Sequence, residues 1–309
     1  MALASTCASK RERGGSILVG LANSAFLGVT IISTNVLQSA SLIFRPFSQG
    51  LFRRCVYGLA AGWFSHFVWV LEKLNRYRIV WTGTIPPPGE RCIVFANHQT
   101  MVDVPLILAL AKRRDGLRGF KCFAKKSLKY LPGIGWGMWW LDFPLVKRNW
   151  EKDRDHIAEV FATLRTLPGS LWFTSFVEGT RKTPAKHSAS RAYAEKIGDR
   201  PFEHVMYPRT RGFVASVGAM RDQLDAVYDV TLAYPDGVPS LWQVACHRSR
   251  EAHVHVRRFP IDALPRDEKA LAQWLVDRFR VKDAMLDRFV REGILDEGKL
   301  AADTPLERP

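Results

Sequence analysis

The stretch from Ile93 to Leu110, IVFANHQTMVDVPLILAL, begins as a buried strand and ends as an apolar helix, with Asn97, His98 and Asp103 at the join. On a regular helix, five residues would turn two side chains about 140° apart, so His98 and Asp103 meet only if the chain turns between them. A strand-to-helix turn supplies that geometry. A carboxylate bonded to one ring nitrogen fixes the imidazole tautomer and leaves the other nitrogen free to accept a proton, the division of labour of a catalytic triad without a protein nucleophile. The nucleophile then comes from the substrate, most simply as a hydroxyl. The competing reading is local: Asn97 and His98 bond within the turn and Asp103 caps the helix.

A second group makes the first harder to dismiss. The strand pattern SLWFTSF, Ser170 to Phe176, opens into Val177, Glu178, Gly179, Thr180 and Arg181. This puts a carboxylate, a glycine and an arginine at the carboxyl end of a strand, where open α/β sheets bind ligands. Arg181 there can hold a phosphate through two parallel hydrogen bonds, and Gly179 permits close backbone approach. Lys125 and Lys126 in AKKSLKYLPGIGW, and Arg148 in FPLVKRNW, add further cations. The chain has no G-x-S-x-G elbow, which argues against a serine hydrolase.

The elements that must position these groups alternate as in an α/β domain. RIVW and CIVFA read as strands, a helix follows from Asp103 to Lys112, and FKCFAK and FPLV read as further strands. EKDRDHIAEVFATLRTL has helical spacing at Ile157, Val160, Phe161 and Leu164. KTPAKHSASRAYAEKIGD reads as a surface loop leading to a short helix, and HVMYP, AVYDVTLAY, LWQVACHR and AHVHVRRF as strands. The tail from Asp267 to Glu292 carries apolar residues at helical spacing, giving one or two amphipathic helices.

The 309 residues, 47% hydrophobic, suffice for one large domain or two small ones and exclude disorder as the main state. A formal net charge of +15 calls for an anionic partner: nucleic acid, anionic lipid or a phosphorylated substrate. No helix-turn-helix, zinc-finger or RNA-recognition signature is present, so nucleic acid is not expected. The basic run from Lys112 to Lys129, including Lys121, is expected to form a surface resting on anionic lipid. Cys246, His247, His253 and His255 lack the paired spacing of a metal site, and no metal is expected. The five scattered cysteines read as reduced thiols in a cytosol-facing protein.

From Gly14 to Phe44 there is no charged side chain, and the run exceeds the roughly 20 residues needed to cross a bilayer core. A shorter apolar stretch, Cys55 to Leu71, carries Trp63 and Trp69, rings suited to the headgroup level. Basic residues flank every end, so a two-span hairpin and a re-entrant one both stand. The expected division is a membrane anchor over 1–76, with apolar helices at 14–44 and 51–75, followed by a catalytic domain over 77–309.

Taken in order, N-H-x4-D, A-K-x-x-L-x-x-x-P-x-x-G-W, F-x-E-G-T-R and YPRTRGF resemble the motifs of the glycerophospholipid acyltransferase superfamily, the 1-acylglycerol-3-phosphate O-acyltransferases. PLVKRNWEKDRD and MYPRTRGF lean toward its lysocardiolipin and lysophospholipid branch. The resemblance covers Arg91 to Phe213. It implies a mixed, mostly parallel sheet flanked by helices and preceded by a membrane-embedded helical hairpin. It implies that His98 is the general base and Asp103 its partner. Asn97, Lys125, Arg148, Glu178, Gly179, Thr180, Arg181 and Pro208 would serve substrate binding, with Arg181 at the phosphate of a lysophospholipid and Pro208 linked to the acyl donor or to fold integrity. The implied co-substrate is an acyl-CoA or acyl carrier protein thioester, without a further cofactor. The implied site is the inner membrane, with the catalytic domain facing the cytoplasm. The implied acceptor is 1-acylglycerol 3-phosphate, but Tyr-Pro-Arg-Thr-Arg replaces the simpler apolar-Pro pattern of many members, which leaves another lysophospholipid, a lysocardiolipin or glycerol 3-phosphate open as acceptor without changing the reaction class.

Overall fold

The computed structural model describes residues 16–146, 150–167 and 169–296; Arg148 lies outside them. The chain opens with two helices, α1 (Ile17–Ala40) and α2 (Gln49–Trp69), and strand β1 (Arg78–Gly83). Then come β2 (Arg91–Ala96), α3 (Asp103–Lys112), β3 (Phe120–Cys122), β4 (Ala124–Lys125), α4 (Ile134–Trp140) and β5 (Leu145–Val146). The second half runs α5 (Trp150–Arg165), β6 (Leu171–Ser175), α6 (Pro184–Lys196), α7 (Thr210–Met220), β7 (Ala226–Ala233), α8 (Leu241–Ala245), β8 (Glu251–Pro260) and α9 (Glu268–Glu292).

Six strands form one sheet in the order β1-β8-β7-β2-β6-β3. Only β7 and β8 pair antiparallel, so the sheet is mixed and mostly parallel. β2 lies at its centre and is buried on both faces, which is why its text is a nearly unbroken apolar run. Cys92, Val94 and Ala96 join the core under α2 and α3; Ile93 and Phe95 join the core under α5, α7 and α9. The alternation of strand side chains thus divides one short segment between two cores.

Helix α9 is one continuous amphipathic helix fastened to β7 by buried charge. Lys282 Nζ donates to Asp229 Oδ1 (2.5 Å), Val230 O and Thr231 Oγ1, while Arg278 Nε donates to Asp229 Oδ2 (2.9 Å).

The first two helices form an antiparallel hairpin. Gln38 Nε2 donates to Val56 O (3.2 Å) and Trp63 Nε1 to Thr30 Oγ1 (3.3 Å). Among the described residues, Ile17–Phe44 is the segment long and apolar enough to cross a membrane. Its packing is reversed from that of a water-soluble helix: α1 buries Gly20, Asn23, Asn35 and Gln38 and exposes Leu18, Leu21, Val29 and Val36. Helix α2 instead shares its core with the sheet through Phe52, Val56, Ala60 and Val68.

Several local expectations are corrected. LWQVACHR holds helix α8, nucleated by a capping box in which Ser240 and Gln243 satisfy each other's backbone amides. HVMYP is irregular, because its amides bond to side chains instead of a neighbouring strand. FKCFAK divides between two sheets, β3 in the large one and β4 paired with β5. The loop expected after Arg181 is mostly helix α6, started by Thr183 as N-cap and Pro184 in its first turn. Lys121 does not belong to a solvated basic face: it is fully buried, with Nζ 4.1 Å from the centre of the Tyr57 ring. Burial lowers its pKa to about 8.

Candidate active site

The chain turns between β2 and α3, and the turn brings His98 and Asp103 together. His98 Nδ1 lies 2.8 Å from Asp103 Oδ2. The same carboxylate oxygen accepts the backbone N–H groups of Gln99 (2.7 Å) and Thr100 (2.9 Å). Its other oxygen accepts the Tyr234 hydroxyl at 2.5 Å. Asp103 therefore closes the turn and partners the ring, but it does not cap the helix: α3 begins at Asp103 itself and its N-cap position, Val102, makes no side-chain cap bond. Completely buried and held by four donors, it has one orientation available.

The imidazole is oriented from a third side. Phe176 stacks on it with ring centroids 4.1 Å apart and planes 21° from parallel. With Nδ1 committed to Asp103, Nε2 is the nitrogen left for chemistry. The His98 side chain is not fully enclosed, retaining 12% exposure.

Asn97 has both side-chain polar atoms engaged by the main chain. Its side chain donates to Leu232 O (2.9 Å) and accepts Leu232 N–H (2.9 Å), imitating one more ladder step between β2 and the end of β7. Gln99 Nε2 donates to the same carbonyl.

Glu178 occupies the centre of the second motif. One carboxyl oxygen accepts the His98 backbone N–H (3.1 Å) and the other accepts that of Met206 (3.2 Å). Burial pushes its pKa up to about 8 against the pull of those two donors. The Lys182 N–H donates to His98 O (2.8 Å), so the Glu178–Lys182 turn grips the His98 peptide from both sides.

Gly179 has φ +73°, a conformation that disfavours a side chain, and its N–H closes the turn onto Phe176 O (2.9 Å). Thr180 Oγ1 accepts from Lys186 Nζ (2.7 Å). Arg181 is exposed at the rim, with no side-chain hydrogen bond or ion pair among the described residues. Pro208 is buried, and the Arg209 N–H beside it donates to Val177 O (2.7 Å). Lys125 is exposed on β4 and shares none of these bonds.

Tyr234 and Phe176 were not assigned to the site from the sequence. Tyr234 ends the AVYDVTLAY pattern, where an aromatic residue reads as strand core; only the pairing of β7 beside β2 brings it to Asp103.

This arrangement can fix a histidine as a base and present a free guanidinium on the same edge of the sheet. Comparisons with known proteins show the family. The family described as Acyltransferase matches residues 74–234, and the one described as Acyltransferase C-terminus matches residues 243–306. The 1-acyl-sn-glycerol-3-phosphate acyltransferase 3 of Arabidopsis thaliana is 33% identical over 264 residues, covering 83% of this chain and 70% of that protein. The 1-acyl-sn-glycerol-3-phosphate acyltransferase gamma of Homo sapiens is 34% identical over 265 residues, covering 84% and 70%. Lysocardiolipin acyltransferase 1 of Danio rerio is 35% identical over 235 residues, covering 75% and 61%. In fold, the chain is similar to the crystal structure of the 1-acyl-sn-glycerophosphate (LPA) acyltransferase PlsC from Thermotoga maritima, with a TM-score of 0.54 at 18% identity over 89% of this chain and 96% of that one. Motifs, fold and relatives converge: the chain belongs to the acyltransferase family and is an O-acyltransferase.

Proposed function

We propose that the protein moves an acyl chain from a thioester carrier, acyl-CoA or acyl carrier protein, to the free hydroxyl of a lysophospholipid in phospholipid biosynthesis or remodelling. The preferred acceptor is 1-acylglycerol 3-phosphate. The observation that carries this reading is the 2.8 Å contact between His98 Nδ1 and Asp103 Oδ2, which leaves Nε2 as the base. As the acceptor oxygen attacks the thioester carbonyl carbon, Nε2 takes its proton. The tetrahedral adduct then collapses, the carbon–sulfur bond breaks, and the departing thiolate takes the proton from the imidazolium. No acyl-enzyme is required. A base positioned in this way contributes about 10² to 10⁴ in rate.

In this reading Arg181 holds the acceptor phosphate. Gly179 and Thr180 shape the turn that carries it, with Lys125, Arg148 and Pro208 kept on the substrate side as the motif resemblance implies. Asn97 and Glu178 act differently from that expectation, since their polar atoms are engaged with the protein main chain. They position the His98 turn. Tyr234 positions Asp103.

The membrane reading follows from α1. Near its start, Asn23 Nδ2 donates to Asn75 Oδ1 and Ala245 O, and near its end Gln38 bonds Val56, whose helix is built into the core. Both ends are thus tied to the catalytic domain, while the face between them is apolar and exposed. This supports a hairpin lying in one leaflet over one that crosses, with the domain on the cytoplasmic side of the inner membrane.

A second acceptor class, lysocardiolipin or another lysophospholipid diester, is favoured by the similarity to a protein named lysocardiolipin acyltransferase 1. One experiment addresses both. Thiol release from acyl-CoA is measured with each acceptor, using membranes that lack the host's own acyltransferase and contain either wild type or His98→Ala. Acceptor-dependent release that is lost in the variant is expected, fastest with 1-acylglycerol 3-phosphate. Equal release by a folded His98→Ala protein would remove the base from the mechanism.

A further inference from the structure

At the carboxyl end of β6 the cations fall into two kinds. Arg191 pairs with Glu203, Lys182 Nζ donates to the carbonyls of Glu203 and His204, and Lys186 Nζ donates to Thr180 Oγ1. Those positive groups are occupied. Arg181 and Arg209 are exposed, and among the described residues neither makes a side-chain hydrogen bond or ion pair.

Arg209 is nevertheless not free to wander. Its backbone N–H donates to Val177 O (2.7 Å), which fixes the residue beside the Glu178–Arg181 turn. Its side chain runs across Gly179: a Cβ at that position would stand 2.8 Å from Arg209 Cδ, 2.9 Å from Nε and 3.2 Å from Cζ. The glycine is thus required for its positive φ and also to let the Arg209 stem pass. Arg209 is also the N-cap residue of α7, and its side chain makes no cap bond.

We propose that Arg209 is a second phosphate-binding residue, forming with Arg181 a two-guanidinium clamp that selects acceptors ending in a phosphomonoester over phosphodiester acceptors. This rests on the reading of Arg181 as the phosphate ligand of a lysophospholipid. A phosphomonoester carries a charge of about −1.5 to −2 at neutral pH and three terminal oxygens, enough to engage two forks. A phosphodiester carries one charge and two non-bridging oxygens, and one bidentate arginine satisfies it.

The test uses the full-length protein in detergent micelles, with 1-acylglycerol 3-phosphate and 1-acylglycerophosphoglycerol as alternative acceptors and thiol release from acyl-CoA as the readout. Arg209→Ala is expected to raise the KM for the monoester about tenfold or more. The KM for the diester and for acyl-CoA should stay within about twofold, so that the preference for the monoester collapses. Arg209→Lys, which keeps the charge and loses the fork, should fall between wild type and Arg209→Ala. Thermal unfolding checks both variants, and Arg209→Lys alone suffices for the selectivity reading where Arg209→Ala does not fold. An unchanged monoester KM, an equal rise for both acceptors, or a rise in the acyl-CoA KM would overturn the clamp while leaving the acyltransferase reading intact. A folded wild type that releases no thiol with either acceptor would overturn the reading on which the clamp rests.

Discussion

At the His98 turn, Asn97, Asp103 and Glu178 are buried polar residues; along α1, Asn23, Asn35 and Gln38 are buried too. In the turn the polar atoms are met by donors from the turn itself and from segments far along the chain, and the outcome is a histidine with one orientation. In α1 the buried polar residues face the protein because the opposite face is apolar, with Leu18, Val29 and Val36 outermost. Helix α9 provides the contrast, burying Leu271, Leu275, Phe279 and Leu286. A helix that turns its amides inward and its leucines outward loses burial energy of roughly 25 cal/mol per Å² in water. Lipid removes that cost. Burial of polar groups thus serves aim in one region and attachment in the other, and the two should respond differently to mutation.

The sharpest break comes at Asp103. Asp103→Asn keeps the shape but sets an amide against N–H donors and favours the wrong imidazole tautomer, so kcat should fall by on the order of 10³ to 10⁴ with membrane association unchanged. A loss of less than tenfold would mean that the turn does not aim a base.

Glu178 gives the next effect, in stability. Its folded pKa of about 8 lies above the ordinary carboxyl value of 4.5, so the folded state holds the proton more tightly than the unfolded chain. This contribution is fully present below the ordinary carboxyl range and is lost as pH rises through about 8. Melting temperature across that window should fall for wild type and fall less for Glu178→Gln. Parallel curves would show that Glu178 is not the group responsible.

The smallest effect belongs to α1. Asn23→Ala removes bonds to Asn75 and Ala245 and should cost about 1–3 kcal/mol in thermal stability, with kcat in detergent preserved. Val36→Lys on the outer face should leave folding in detergent unchanged but shift the protein out of lipid vesicles in flotation. If Val36→Lys instead behaved like Asn23→Ala, the outward face of α1 would be packing against protein and the contrast between the regions would fail.

Much of the site was legible because its motifs are local. N-H-x4-D spans a single turn and FVEGTR follows directly from one strand, so strand periodicity and residue type already place them at the end of a sheet. The other strands were less secure. LWQVACHR has an apolar spacing that fits either a short strand or a helix, and its capping box decided for helix. HVMYP looks like a strand, but Met206 gives its N–H to Glu178 and Tyr207 gives its N–H to Ser190, so no ladder forms. Lys121 lies in a run of cations, and nothing in that run signals that α2 covers it.

By itself the sequence determined the reaction class and an apolar N-terminal segment, and it singled out His98, Asp103 and Arg181 as candidates for a base, its partner and a phosphate ligand, because each motif is encoded within a few neighbouring residues. Only the tertiary structure decided that Tyr234 holds Asp103, that Glu178 grips the His98 peptide, that Arg209 crosses Gly179 and that α1 is tied at both ends. Those contacts join residues from 18 to 222 positions apart. Strand order and helix docking bring them together, and both are set by the burial of two cores at once, which no local pattern records.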